Sequence, residues 1–200
     1  MTGRERVKIA LSHKEADRVP RFDQFWKETF EVYGMTQEQL EERFDYDMHL
    51  LHLDNSMRFP AHKRVDGDWE EFDDRCGYTL RRRIGVSSAH YVSHVNTDAD
   101  VWRDMRDRFC LDKAGESRIC ADTFHLRTQQ APSWEQAVAD ANKVAADKYK
   151  TLQFYGPYEG TWRHHGMVET LTDLCSEPEY MDDMFSRITD LTLEVLDYSI

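Results

Sequence analysis

Apolar residues return at helical spacing in residues 3–15, where Val7, Ala10 and Leu11 share a stripe and Thr2 stands ready to cap the first turn. Pro20 breaks that period, and residues 17–23 read as a short strand ending in polar and aromatic groups. Residues 24–33 resume a helical pattern that stops at Gly34, and Thr36 with Gln39 makes a capping box for the next helix. Met48 to Leu53 is a compact apolar run, the pattern of a buried strand that ends at Asp54. From Lys63 to Thr97 the texture alternates around Gly67, Gly77 and Gly85, predicting a β-rich insertion of two or three antiparallel strands. Helices are expected over 98–109, 112–127 and 133–147, a strand over 151–155, and two more helices over 161–175 and 178–198. Pro178 fits the first turn of the last one.

Strands alternating with long helices imply parallel βα units and an α/β fold. With no repeat, linker or low-complexity stretch, residues 1–200 read as a single domain holding about three core strands. A closed (β/α)8 barrel takes about 250 residues, so the chain is expected to carry only the N-terminal half of one. The helical pattern of Leu191, Leu193, Val195 and Leu196 runs to the end without a cap, so more chain is expected after Ile200.

Composition narrows the function classes. The hydrophobic share is 40% and charged residues make up 32%, which suits a soluble protein with a solvated surface. No apolar run approaches the ~20 residues of a membrane span, and residues 1–14 lack the apolar core of a secretion signal. A net charge of −12 argues against nucleic acid or an anionic membrane as partner, and Arg81, Arg82 and Arg83 read as strand-surface charge. Four scattered cysteines without a CxxC pair read as reduced thiols of a cytoplasmic protein.

Two blocks carry a resemblance. One runs from Thr2 through Arg4, Arg6 and Leu11 to His13, Asp17, Arg18 and Pro20. The other comprises Tyr155, Gly156, Pro157, Tyr158, Glu159, Gly160, Thr161 and Trp162, followed by Gly166, Met167 and Leu171 to Leu174, then Glu177, Pro178 and Glu179. In order and spacing they resemble the uroporphyrinogen decarboxylase superfamily over the whole chain, most weakly across the β insertion. The resemblance implies a (β/α)8 TIM barrel with its site at the C-terminal strand ends. It also implies either tetrapyrrole decarboxylation or methyl transfer linked to a corrinoid protein.

The arginine-rich grip of the decarboxylase is reduced here to Arg21, with Asp23 and Glu28 where cations would be wanted. The family's active-site tyrosine is matched by Trp162, which donates a hydrogen bond but cannot ionise. Both departures favour the methyltransferase-like branch, acting on a small substrate. The resemblance implies for that branch a catalytic zinc bound by a His-x-Cys pair and a later cysteine, all in the second half of the barrel and so expected beyond residue 200. None of the four cysteines here has a histidine two residues before it, so no metal ligand is assigned in this chain.

The candidate catalytic residues are Asp54, matched to the aspartate that binds pyrrole N–H groups, together with His164 and Glu159, which follow the 151–155 strand. The blander alternatives are a loop-capping carboxylate for Asp54, a surface histidine for His164 and a helix N-terminal charge for Glu159. Candidate substrate contacts are Arg21, Asp23, Gln24, Trp26, Tyr158 and Trp162. His49 and His52, three apart on a strand, point to opposite faces and do not form a joint metal site. Three functions remain open: a methyltransferase-like enzyme, a decarboxylase of a tetrapyrrole or smaller acid, and a non-catalytic half-barrel completed by a partner chain. Homo-oligomerisation is compatible with each.

Overall fold

The computed structural model describes residues 1–120, 132–144 and 146–199. Helix α1 (Gly3–Leu11) opens with a capping box in which Thr2 and Glu5 satisfy each other's backbone N–H groups. Its buried Arg6 bridges Asp17 and Asp47, and Arg18 joins the same Asp47 carboxylate. Residues 17–23, expected as a strand, are irregular. Pro20 has no N–H to give, the Arg21 N–H goes to the Asp47 carboxylate, and the Arg21 carbonyl accepts from the Asp47 N–H. Helices α2 (Lys27–Tyr33) and α3 (Gln37–Arg43) follow, the first closed by Gly34 at φ +61° and the second opened by the expected Thr36 and Gln39 box.

Strand β1 (Met48–Leu53) is the centre of a three-stranded sheet in the order β6-β1-β7. It runs parallel to β7 (Tyr149–Gln153), with Met48 opposite Tyr149 and His52 opposite Gln153. It runs antiparallel to the two-residue β6 (Ile119–Cys120). Between β1 and β6 the chain builds a separate antiparallel meander: β2 (Lys63–Asp66), β3 (Trp69–Asp73), β4 (Tyr78–Arg83) and β5 (His90–His94). The insertion expected over 63–97 is therefore four strands. In it Arg81 lies over the Trp69 ring, while Arg82 and Arg83 pair with Glu70 and Asp68.

The expected barrel fold is corrected here. The described residues form two open sheets, of three and four strands, with no closed (β/α)8 arrangement and no half-barrel of consecutive parallel strands. Among the described residues only β1 and β7 are parallel. The segment expected to be the first strand makes no ladder, and β6, within the expected 112–127 helix, runs the opposite way. The remainder of that expected helix, from residue 121, and the chain beyond Ser199 lie outside the described residues.

Helix α4 (Ala99–Met105), capped by Asp98, passes into a 3-10 turn at Arg106–Arg108. After it come α5 (Trp134–Val144), α6 (Pro157–His165), α7 (Met167–Ser176) and α8 (Pro178–Ser199). The helix expected over 161–175 is two, divided at Gly166. Met181, Met184, Ile188, Leu191 and Val195 make a continuous apolar seam along α8. That seam packs on Leu53 and Met57 from the end of β1 and on Trp102, Met105 and Phe109 from the α4 region. Each fully buried aliphatic side chain there contributes about 1.5–3 kcal/mol through apolar burial. Gly160 on α6 leaves room for Ile188, whose side chain would lie 3.2 Å from an added Cβ. Among the described residues no helix is long and apolar enough to cross a membrane.

Candidate functional site

Strands β1 and β7 run side by side in one direction, so the segments that leave their C-terminal ends, 54–58 and 154–157, emerge together. Asn55 fastens them: its amide donates to the Tyr155 carbonyl at 2.7 Å and to Thr192 Oγ1 of α8 at 3.0 Å. Gly156 and Pro157 then turn the chain into α6, with Pro157 in the first turn where its missing N–H leaves no bond unmade. A small cavity lies between these segments and the meander. Asn55, Ser56, Cys76, Phe109, Tyr155, Gly160, Arg163 and His164 line it, with room for about one water-sized group.

Among the described residues Arg163 is the one cation at this cavity wall, and it is buried. Its Nη1 donates to the Tyr78 hydroxyl at 2.9 Å and its Nη2 to Glu159 Oε1 at 2.6 Å, while Nε has no partner among the described residues. The guanidinium stands 3.9 Å from the centre of the Tyr155 ring, 4.9 Å from Trp162 and 5.6 Å from Tyr78, a cation–π arrangement. Burial alone would make Arg163 easier to deprotonate, but Tyr78 and then Glu159 outweigh it and hold the proton more tightly than usual.

His164 is fully buried, its ring stacked on Trp102 with centres 5.6 Å apart and tilted against Phe109. Neither ring nitrogen has a partner among the described residues. Burial, reinforced by His165 and His94, pushes its pKa down to about 3, so the ring is neutral near pH 7. The adjacent His165 is also buried but fully engaged, with Nδ1 at 3.0 Å from the Asn96 carbonyl and Nε2 at 2.8 Å from Asp173 Oδ2.

Asp54 lies just behind the cavity, and each of its oxygens accepts a hydrogen bond. Its Oδ1 accepts from the Ser56 N–H at 3.0 Å and its Oδ2 from Arg58 Nε at 2.8 Å. Burial works to raise its pKa, but Arg58, Arg118 and the Ser56 bonds prevail, so the carboxylate stays ionised below the usual aspartate range. Arg118 itself is buried and donates to the Asp54, Ser56 and Cys110 carbonyls; burial lowers its pKa to about 10. Burial and the nearby Asp74 and Asp54 charges raise the Cys76 thiol well above its ordinary value, which keeps it protonated.

Of the residues singled out in the sequence, His164 lines this cavity, while Glu159 and Trp162 touch it through Arg163 and Asp54 through Ser56. Trp162 is half-buried, edge-on to Tyr91 at 5.3 Å. Tyr158 sits on the same helix but is largely exposed. Arg21, Asp23, Gln24 and Trp26 lie on the exposed segment before α2 and are not drawn in. Of these, Gln24 touches the β7 end, donating to Gln153 at 3.1 Å, whereas Trp26 is 78% exposed. Arg163, Tyr78, Cys76, Asn55 and Ser56 were not expected. Only Arg163 had a sequence signal, its i,i+4 spacing from Glu159 on a helix. Tyr78 and Cys76 arrive from the meander, far away in the chain.

Among the described residues no three His, Cys, Asp or Glu side chains converge to hold a metal ion. Comparisons with protein-family models, curated proteins and solved structures found no match.

Proposed function

We propose that the cavity at the ends of β1 and β7 marks the inner end of a small-molecule site, in an enzyme whose sequence blocks resemble those of the uroporphyrinogen decarboxylase superfamily. Its reaction is methyltransferase-like, moving a methyl group between a small substrate or a corrinoid protein and a thiol or other acceptor. The observation that supports a site here is the convergence of Asn55, Ser56, Tyr155, Arg163 and His164 beyond the carboxyl ends of two parallel strands. Ligands of open α/β sheets favour that edge, where loops leave a crevice and helices begin. The reaction class rests on the sequence blocks at 2–20 and 155–179 alone.

In this reading the aromatic walls exclude water, the Glu159–Arg163 pair fixes one flank, and neutral His164 offers hydrogen bonds without adding charge. The decarboxylase reading draws less support, because Asp54 is ion-paired with Arg58 and does not line the cavity. The test is incubation of the protein with methylcobalamin and a thiol, following loss of the methyl–cobalt absorbance. Turnover is expected in the wild type and a drop of about 100-fold in Arg163→Met, the scale on which displaced substrate-positioning groups act. No demethylation across a panel of thiols would remove the methyl-transfer reading.

A further inference from the structure

An amphipathic surface helix ordinarily buries its apolar stripe and shows its polar face to water. Helix α7 (Met167–Ser176) does the reverse. Its buried side chain is Thr170, and the half-buried Asp173 on the same side meets the His165 ring at 2.8 Å. Met167, Val168, Leu171, Leu174 and Cys175 recur at helical spacing away from that side, and all are exposed. Exposure among the four larger ones runs from 39% at Leu174 to 71% at Val168. Single exposed apolar residues need no explanation, but a row of them about 12 Å long on one helix face does. Polar groups hold α7 to the body, and its apolar face has no cover among the described residues.

The charges around the stripe select among occupants. Between Gly166 and Ser186 the chain has no lysine or arginine. Asp173 and Asp183 are taken up by His165 and Arg106. Glu169, Glu177, Glu179 and Asp182 are exposed and make no ion pair among the described residues. The rim of the stripe is therefore acidic, without counter-charges of its own. A second copy would set these carboxylates against themselves, and each chain already carries a net charge of −12. An anionic membrane meets the same repulsion. A straight apolar row at helical spacing is matched by another helix packed along it, with apolar residues recurring at three and four positions. The complementary flanks on that helix are lysine and arginine.

We propose that the outer face of α7 is a docking surface for a basic amphipathic helix of a partner protein. Met167, Val168, Leu171, Leu174 and Cys175 supply the apolar contact, and Glu169 and Glu177 fix the partner's charge. The proposal depends neither on the cavity at the ends of β1 and β7 nor on the reaction assigned to it.

The probe is a fluorescein-labelled helical peptide of leucine and lysine, its leucines recurring at three and four positions. Two controls share its length: the same residues shuffled so that no stripe forms, and a version with glutamate for every lysine. Fluorescence anisotropy with the full chain is expected to show saturable binding of the first peptide and at least tenfold weaker binding of both controls. Leu171→Asp replaces an exposed side chain, so the far-UV circular dichroism melt is expected to stay unchanged. The added negative charge by itself favours a basic peptide, yet the broken stripe is expected to weaken binding at least tenfold. Glu169→Gln with Glu177→Gln keeps the stripe and is expected to reduce the preference for lysine over glutamate flanks. Equal binding of the shuffled peptide, undiminished binding in Leu171→Asp, or an unchanged flank preference in the double variant would each overturn the proposal. So would a wild-type dimer in sedimentation velocity that Leu171→Asp dissolves, since that outcome gives the face to a second copy.

Discussion

Asp54 spends both carboxylate oxygens on its own surroundings, and Arg58 and Arg118 surround it with positive charge. Arg58 also takes up φ +59°, a left-handed conformation that costs a non-glycine residue energy, while it reaches Asp54, the Glu116 and Ser117 carbonyls and the Glu116 carboxylate. The aspartate is the counter-charge of a structural knot joining the end of β1 to the segment before β6. Asp54→Asn removes the counter-charge of two buried or half-buried arginines and is expected to cost about 3–5 kcal/mol. For a chain of this size that lowers the melting temperature by roughly 10 °C. The folded pKa of Asp54 lies below its unfolded value. Its stabilisation is therefore full above the unfolded aspartate value and is lost as pH falls through the folded one. Thermal melts from pH 7 down to pH 2 should show an acid limb in the wild type that is shallower in Asp54→Asn.

Helices α6 and α7 meet at Gly166, which holds φ +96° and ends one helix while starting the next. An added Cβ would stand 2.2 Å from a Glu169 carboxylate oxygen and 2.8 Å from the His94 ring. The dihedral favours glycine on its own, and the His94 contact ties the turn to the meander. Gly166→Ala is expected to destabilise by about 1–3 kcal/mol, read as a lower midpoint in urea unfolding with an unchanged slope. The bend also orients the site: His164 and His165 lie in the last turn before it, both turned inward, and the His164 carbonyl accepts from Asn96 of the meander. Helical period in 161–175 shows that the segment coils, but the change of axis inside it comes from a backbone conformation that the apolar stripe does not encode.

At the scale of the whole molecule, the two sheets, which share no ladder among the described residues, are joined through α6 and α8. Tyr78 on β4 accepts from Arg163, Asn96 after β5 engages His165, and Tyr180 on α8 donates to Asn96. These ties run through groups that are buried, so one sheet cannot leave without exposing unmet polar atoms on the other side. The expected result is a single cooperative transition. Fluorescence of the meander's Trp69, read in a protein whose other tryptophans are replaced by phenylalanine, should share its urea midpoint with far-UV circular dichroism. Two separated midpoints would show that the meander unfolds as a unit of its own.

Local signals in the chain were enough to determine a good part of this. The cap at Thr2, the capping box at Thr36, the stop at Gly34, the buried strand at 48–53 and the β character of 63–97 each depend on neighbours a few residues apart, where side-chain period and backbone sterics act directly. The same locality brought Asp54, Glu159, Trp162 and His164 into view, because each follows a strand end. Sheet membership and strand direction were decided only in three dimensions. A two-residue strand such as β6 has no period to read, and Pro20 with the Asp47 carboxylate removes residues 17–23 from any ladder. The pairing of β1 with β7 joins residues about a hundred positions apart, and the same folding carries Tyr78 and Cys76 to Arg163 and His164. Local pattern specifies which segments coil or extend, because those forces act between near neighbours. The cavity and its chemistry come from burial and contact between distant segments, which exist only once the chain has packed.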